Sequence, residues 1–167
     1  MRKILSVMAL CVILMSMTVS ASAAHWYDKY VDWGVENNII CEGFDPAKDM
    51  IRGDALRMLK AKCTRTYCYT IAEARAWAME LGISDGERMY DWLTRAEMVT
   101  LIGRTTGEKA LFALPFYDAA TIPPWAYQYV CSAFMLGTVN GTEDGGFHPN
   151  DHLNGAMAVT MVCRMKQ

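Results

Sequence analysis

No C-x-x-C pair occurs in this chain, which argues against a zinc ribbon. There is no G-x-S-x-G elbow, no phosphate-cradling P-loop and no H-E-x-x-H. Histidine is scarce, with three in 167 residues, and no motif sets any of them beside a nucleophile. The chain is therefore expected to be no enzyme and to carry no cofactor and no metal. His148 and His152 flank Asp151, but in a loop with Pro149 rather than on one helix face. The basic surplus of nucleic-acid binders is also missing, since 16 Lys and Arg face 18 Asp and Glu. Beyond the N-terminus no apolar run approaches the ~20 residues of a membrane span.

What is present begins with a targeting segment. Arg2 and Lys3 precede an apolar run from Ile4 to about Val19, and Ala21-Ser22-Ala23 supplies an A-x-A-like cleavage site. Residues 1–24 read as a secretory signal peptide and are set aside from the fold. Its removal deepens the acidic balance from a formal −2, because both lost charges are basic. Cleavage also removes Cys11 and leaves Cys41, Cys63, Cys68, Cys131 and Cys163, an odd number for an exported chain. Cys63 and Cys68 are close enough in sequence to pair. An unpaired thiol could join a second copy into a disulfide-linked dimer or meet a protein partner. Equally, several of these cysteines could be small buried hydrophobes.

A repeat runs through the rest. Met50-Ile51-Arg52-Gly53-Asp54-Ala55, Leu93-Thr94-Arg95-Ala96-Glu97-Met98 and Leu153-Asn154-Gly155-Ala156-Met157-Ala158 each open an amphipathic stretch with apolar residues at helical spacing. Upstream of each lies another helix, over 26–37, over 70–81 and from Pro123-Pro124-Trp125 onward. These end at Asn38, Gly82 and Gly137, residues that tolerate a left-handed C-terminal cap. Thr70 with Glu73 and Thr94 with Glu97 fit the capping-box pattern. The loops between the helices rhyme, with Gly43-Phe44-Asp45-Pro46 against Gly146-Phe147-His148-Pro149. The third loop is four residues longer. Asn140 to Gly146, faintly like a calcium loop, is better read as a glycine-rich turn. The unit is helix, loop, helix, three times over, and the expected fold class is mainly α.

These residues resemble the S-layer homology family. The likeness rests on Phe116-Tyr117-Asp118, on Trp77-Ala78, on Gly82-Ile83-Ser84-Asp85-Gly86 and on Leu93-Thr94-Arg95-Ala96-Glu97. On this resemblance residues 25–66, 67–110 and 111–167 are three tandem repeats in a pseudo-threefold bundle, with grooves between repeats. Only the second repeat keeps the whole pattern. The first has Arg52 but replaces the capping threonine with Ile51. The third is degenerate, with Gly155 in place of the arginine.

Arg95 poses a question of its own. It stands at the first helical position, where a cation costs ~0.3–1 kcal/mol against the helix dipole. An anion bound at the helix N-terminus would reverse that sign, since the arginine fork and the free amides would share it. The resemblance supplies such an anion: the carboxylate of a pyruvylated secondary cell-wall polysaccharide. It implies that Thr94 and Arg95, with Arg52, contact the glycan, and that Trp92, Trp77, Gly82 and Gly86 are further candidates. Arg95 could equally cover apolar surface or pair with an acid. Trp26, Trp33, Trp77 and Trp125 fall on helices, where core packing is the ordinary role. The chain is thus expected to be secreted, to lie at the cell wall or cell surface, and to bind an anionic wall polymer without catalysis. The rival reading is a protein–protein interaction module that keeps the fold while its glycan sites have decayed.

Overall fold

The computed structural model describes residues 24–166. The expected signal peptide lies outside them except for Ala24. Six α-helices carry the fold: α1 (Asp28–Glu36), α2 (Arg52–Thr64), α3 (Ile71–Glu80), α4 (Arg95–Thr106), α5 (Pro124–Met135) and α6 (Gly155–Arg164). A short 3₁₀ turn, Ala119–Thr121, precedes α5. No strand forms among the described residues; three isolated bridges take its place. None of the helices in that range is long and apolar enough to cross a membrane.

Local chemistry sets the helix ends. Asn38, Gly82 and Gly137 all adopt positive φ, at 58°, 69° and 72°, and turn the chain out of α1, α3 and α5. Thr94 accepts from the Glu97 amide while Glu97 accepts from the Thr94 amide, so the capping box forms. A cap of this kind is worth about 1 kcal/mol. At α3 only half of the expected box forms. Thr70 accepts from the Glu73 amide, but the Glu73 carboxylate turns to Lys60, 3.5 Å away. Asn154 caps α6 through the Met157 amide, and Ile51 leaves α2 without a side-chain cap.

Helix partners do not follow the sequence repeat. α3 packs on α2, α5 on α4, and α1 on α6, so each first helix lies against the second helix of the preceding unit. The pairing is cyclic, and the N-terminal helix closes it against the C-terminal one. At the centre, three equivalent residues form a ring of backbone hydrogen bonds. The Met50 amide donates to Leu153, that of Leu153 to Leu93, and that of Leu93 to Met50, at 2.8, 3.0 and 2.9 Å. All three side chains are buried.

Outside this ring each second helix is locked into a loop of another unit. Arg52 and Gly53 amides donate to the carbonyls of Asp91 and Met89, those of Arg95 and Ala96 to Asp151 and Pro149, and those of Gly155 and Ala156 to Lys48 and Pro46. The result is three helix-loop-helix units around a pseudo-threefold axis. Because an unpaired buried amide costs about as much as a lost hydrogen bond, these six bonds also fix the register of loop against helix.

Candidate functional site

The three interlocks share a backbone and differ in the side chain at the first helical position. At α4 that residue is Arg95, buried at 6% exposure. Nε donates to the Phe147 carbonyl at 2.7 Å and Nη2 to that of Asn140 at 3.3 Å, with the guanidinium lying over the Phe147 ring. Burial pulls the Arg95 pKa down, and the charges of Asp151 and Asp118 work against that. No carboxylate of the described residues comes within ion-pair distance. The expected anion site at free helix amides is not there, because loop carbonyls and Thr94 already occupy the first three amides. What remains is the arginine itself.

At α2 the equivalent Arg52 donates from Nη2 to Ser84 Oγ at 3.1 Å and lies 3.6 Å from Asp85. Its Nε is buried without a partner. Ser84 Oγ also accepts from the Gly86 amide, and Asp85, held low chiefly by the Glu87 amide, completes the turn. At α6 the position is Gly155. A Cβ there would stand 2.5 Å from Phe44 Cζ and 2.9 Å from the Asp45 carbonyl oxygen. Phe44 fills the space an arginine would need.

The sequence candidates therefore fall into two groups. Arg52 meets the loop that carries Gly82 and Gly86, both at positive φ. Arg95 meets the loop 138–151, and Thr94 pairs with His152 just beyond it. Trp92 is 56% exposed and sets its ring edge-on to His152, between the two groups. Trp77 packs against the core from α3. Of the tryptophans expected in the core, Trp33 is also packed there, but Trp26 and Trp125 are 58% and 50% exposed. Both sit at the mouth of a helix, where spacing alone does not separate core from rim.

A groove of about 710 Å³ opens beside Arg95. Its walls are the loop 138–144, His148 and Asp151 on one side, and the α6 stripe Met157, Thr160, Met161 and Arg164 on the other, with Trp26 at the rim. The counterpart at the Gly155 joint is a smaller groove of about 270 Å³, with Cys41 and Phe44 in its wall and no arginine from α6.

Loop 138–151 is held by residues that sequence reasoning left without a role. Asp118 accepts from the Phe147 and His148 amides, both at 2.7 Å, and so fixes the carbonyl that binds Arg95. Asp144 accepts from Thr142, Tyr117, the Gly146 amide and His148. These contacts, led by Thr142, hold its carboxyl far below the usual range, while Asp144 raises His148. The turn expected over 140–146 forms, closed by the Thr142 amide on the Gly146 carbonyl.

Residues 115–158 match the S-layer homology domain. The match begins one residue before Phe116-Tyr117-Asp118, takes in α5 and the whole loop that holds Arg95, and ends inside α6. It is therefore centred on the unit that carries Gly155 at the place of Arg52 and Arg95. A relative named cell surface protein, from Thermoanaerobacter kivui, is 31% identical over 104 residues, which is 58% of this chain and 14% of that protein. The chain thus spans about a seventh of that relative's length.

Among the described residues, no group of three or more His, Cys, Asp or Glu is placed to hold a metal. Nor does a disulfide close there. Cys68, an expected partner for Cys63, is instead a buried thiol that donates to the Thr70 carbonyl. Burial pushes its pKa up, and Cys41 is the exposed thiol of the set.

Proposed function

We propose that the protein is a secreted, non-catalytic module of the cell envelope that holds an anionic, pyruvylated wall polysaccharide non-covalently, with residues 25–66, 67–110 and 111–167 as three S-layer-homology-like units. The observation that carries this reading is the Arg95 guanidinium, which lines a groove and is satisfied only by neutral carbonyls. A buried charge with no carboxylate at ion-pair distance is costly, and an entering carboxylate would supply one. Charge-assisted hydrogen bonds of this kind contribute roughly 1.5–3 kcal/mol. The match over 115–158 and the relative's name, cell surface protein, support the same setting. The rival reading, an interaction module with decayed glycan sites, draws on the third joint, where Phe44 has closed the arginine slot.

The test is co-sedimentation of the protein, freed of residues 1–24, with purified wall sacculi before and after chemical removal of the secondary polymer. Binding should require the polymer and should fall in Arg95→Met, with folding of the variant checked by thermal melting. A folded wild-type protein that ignores native sacculi overturns the glycan reading and directs the search to protein partners.

A further inference from the structure

The α6 wall of the Arg95 groove carries a second guanidinium. Met157, Thr160, Met161 and Arg164 follow at i, i+3, i+4 and i+7, so one face of α6 lines the groove over about 10 Å. Arg164 closes its far end. Nε and Nη2 of Arg164 donate to Tyr30 Oη at 3.2 and 2.6 Å, and the guanidinium lies over the Tyr30 ring. A phenol hydroxyl is a neutral acceptor, as the two carbonyls that hold Arg95 are. Four other arginines sit on acids: Arg52 near Asp85, Arg57 on Asp54, Arg75 near Glu87, and Arg88 on Asp91 and Glu97, while Arg104 donates to the Ile83 carbonyl away from the groove. Arg95 and Arg164 line the same groove, and neither has a carboxylate of the described residues within ion-pair distance.

The acids of the groove are confined to its loop wall. Asp144 accepts from His148, Thr142, Tyr117 and the Gly146 amide, and Asp151 lies 3.9 Å from His148 Nδ1, so the imidazole faces both carboxylates. Glu143 stands exposed at the tip of the turn. The α6 wall, by contrast, contributes two methionines, a threonine and Arg164. A ligand can run along that wall, over an apolar floor, from one cation to the other.

We propose that the groove takes two successive anionic units of one polymer, the first carboxylate at Arg95 and the second anionic group at Arg164, which makes Arg164 a determinant of specificity for a multiply charged glycan over a singly charged one. The inference rests on the glycan reading above. It also accounts for the substitution of the acid found at this turn in the other units by Met157, since Glu97 and Asp54 occupy the equivalent place in α4 and α2. A carboxylate there would lie in the path of the ligand.

The experiment compares the pyruvylated one-unit and two-unit fragments of the wall polymer by titration calorimetry against wild type, Arg164→Gln and Arg164→Lys, each checked for folding by thermal melting. Wild type should prefer the two-unit fragment. Arg164→Gln should weaken that fragment about tenfold while leaving the one-unit fragment within about twofold, and Arg164→Lys should keep only part of the preference, because it keeps the charge and loses the fork stacked on Tyr30. Raising the salt concentration should erode the preference in wild type more than in Arg164→Gln. Equal affinity of wild type and folded Arg164→Gln for the two-unit fragment overturns the inference and leaves the glycan reading standing. No binding of either fragment, or of whole polymer, by wild type overturns both.

Discussion

The joint under Arg95 and the joint under Gly155 are built on the same backbone plan and end up opposite in character. In each, two amides of a helix start donate to two carbonyls of a neighbouring loop, and a phenylalanine from a G-F-x-P turn packs beside them. Under Gly155 the ring of Phe44 has moved into the first helical position. Under Arg95 the ring of Phe147 is fully buried and serves as a platform for a guanidinium. The fold therefore does not require an arginine at this position. The backbone plan thus accepts two solutions, and the one at α4 is a cation with neutral hydrogen-bond partners and a groove beside it.

The comparison breaks most sharply if the arginine is forced into the closed joint. In Gly155→Arg the new side chain meets the Phe44 ring and the Asp45 carbonyl, and the second of these is backbone that cannot swing aside. Overpacking of this kind should cost about 3 kcal/mol. Urea denaturation of the single variant and of Gly155→Arg with Phe44→Ala tests the cause. Part of the loss should return in the double variant, because the two sites share one space and are not additive. Equal destabilisation with and without Phe44 would show that the ring is not what excludes the arginine.

A smaller effect separates Arg95 from Arg52. Arg95→Met strips the buried Phe147 carbonyl and the partly buried Asn140 carbonyl of their donor and should cost about 2 kcal/mol. Arg52 faces Asp85, whose side chain is 69% exposed, and already leaves one buried nitrogen unpaired. Arg52→Met should therefore cost about 1 kcal/mol or less. Paired denaturation curves decide it, and equal losses would mean that the two joints are alike in energy despite their different partners.

Helix starts and stops were legible because their causes lie within four residues. Thr94 and Glu97 form the capping box, and Asn38, Gly82 and Gly137 take the positive φ that their side chains permit. The threefold repetition was legible for the same reason. What a repeat cannot tell is which of its elements touch. The sequence unit pairs α1 with α2, whereas in space α1 lies on α6, because the long loops reach across the axis and the short 65–70 link keeps α2 and α3 together. The candidate arginines were found by pattern, but their partners were not. Asn140 and Phe147 lie 45 and 52 residues beyond Arg95, and both act through backbone carbonyls, which carry no residue-type signal. Asp118 could have been found: a carboxylate in Phe116-Tyr117-Asp118 with no local cap to make needs amides from elsewhere. Arg164 gave no signal at all beyond its place at the end of a helix.

The smallest effect is a pH response that should belong to one joint only. His148 occupies the turn position held by Asp45 under Gly155. Its Nε2 lies 2.9 Å from Asp144, its Nδ1 3.9 Å from Asp151, and its ring edge-on to Tyr117. Asp144 raises the His148 pKa above its ordinary 6.5, so the stabilisation this pair contributes is complete below that value and is lost as pH climbs through the raised one. Asp144 is depressed below its ordinary 3.8, so its share is present above 3.8 and is lost only in stronger acid. The loop should thus be held best between about pH 4 and 6.5 and should loosen on the alkaline side. Hydrogen exchange at the Gly146 amide, which donates to Asp144, reads this directly. Protection relative to His148→Gln at the same pH should be large at pH 6 and should shrink above the raised pKa, while the Ala47 amide on Asp45, in the other joint, shows no such change. If wild type and His148→Gln protect Gly146 equally across the range, the imidazole does not hold this loop, and no pH response separates the two joints.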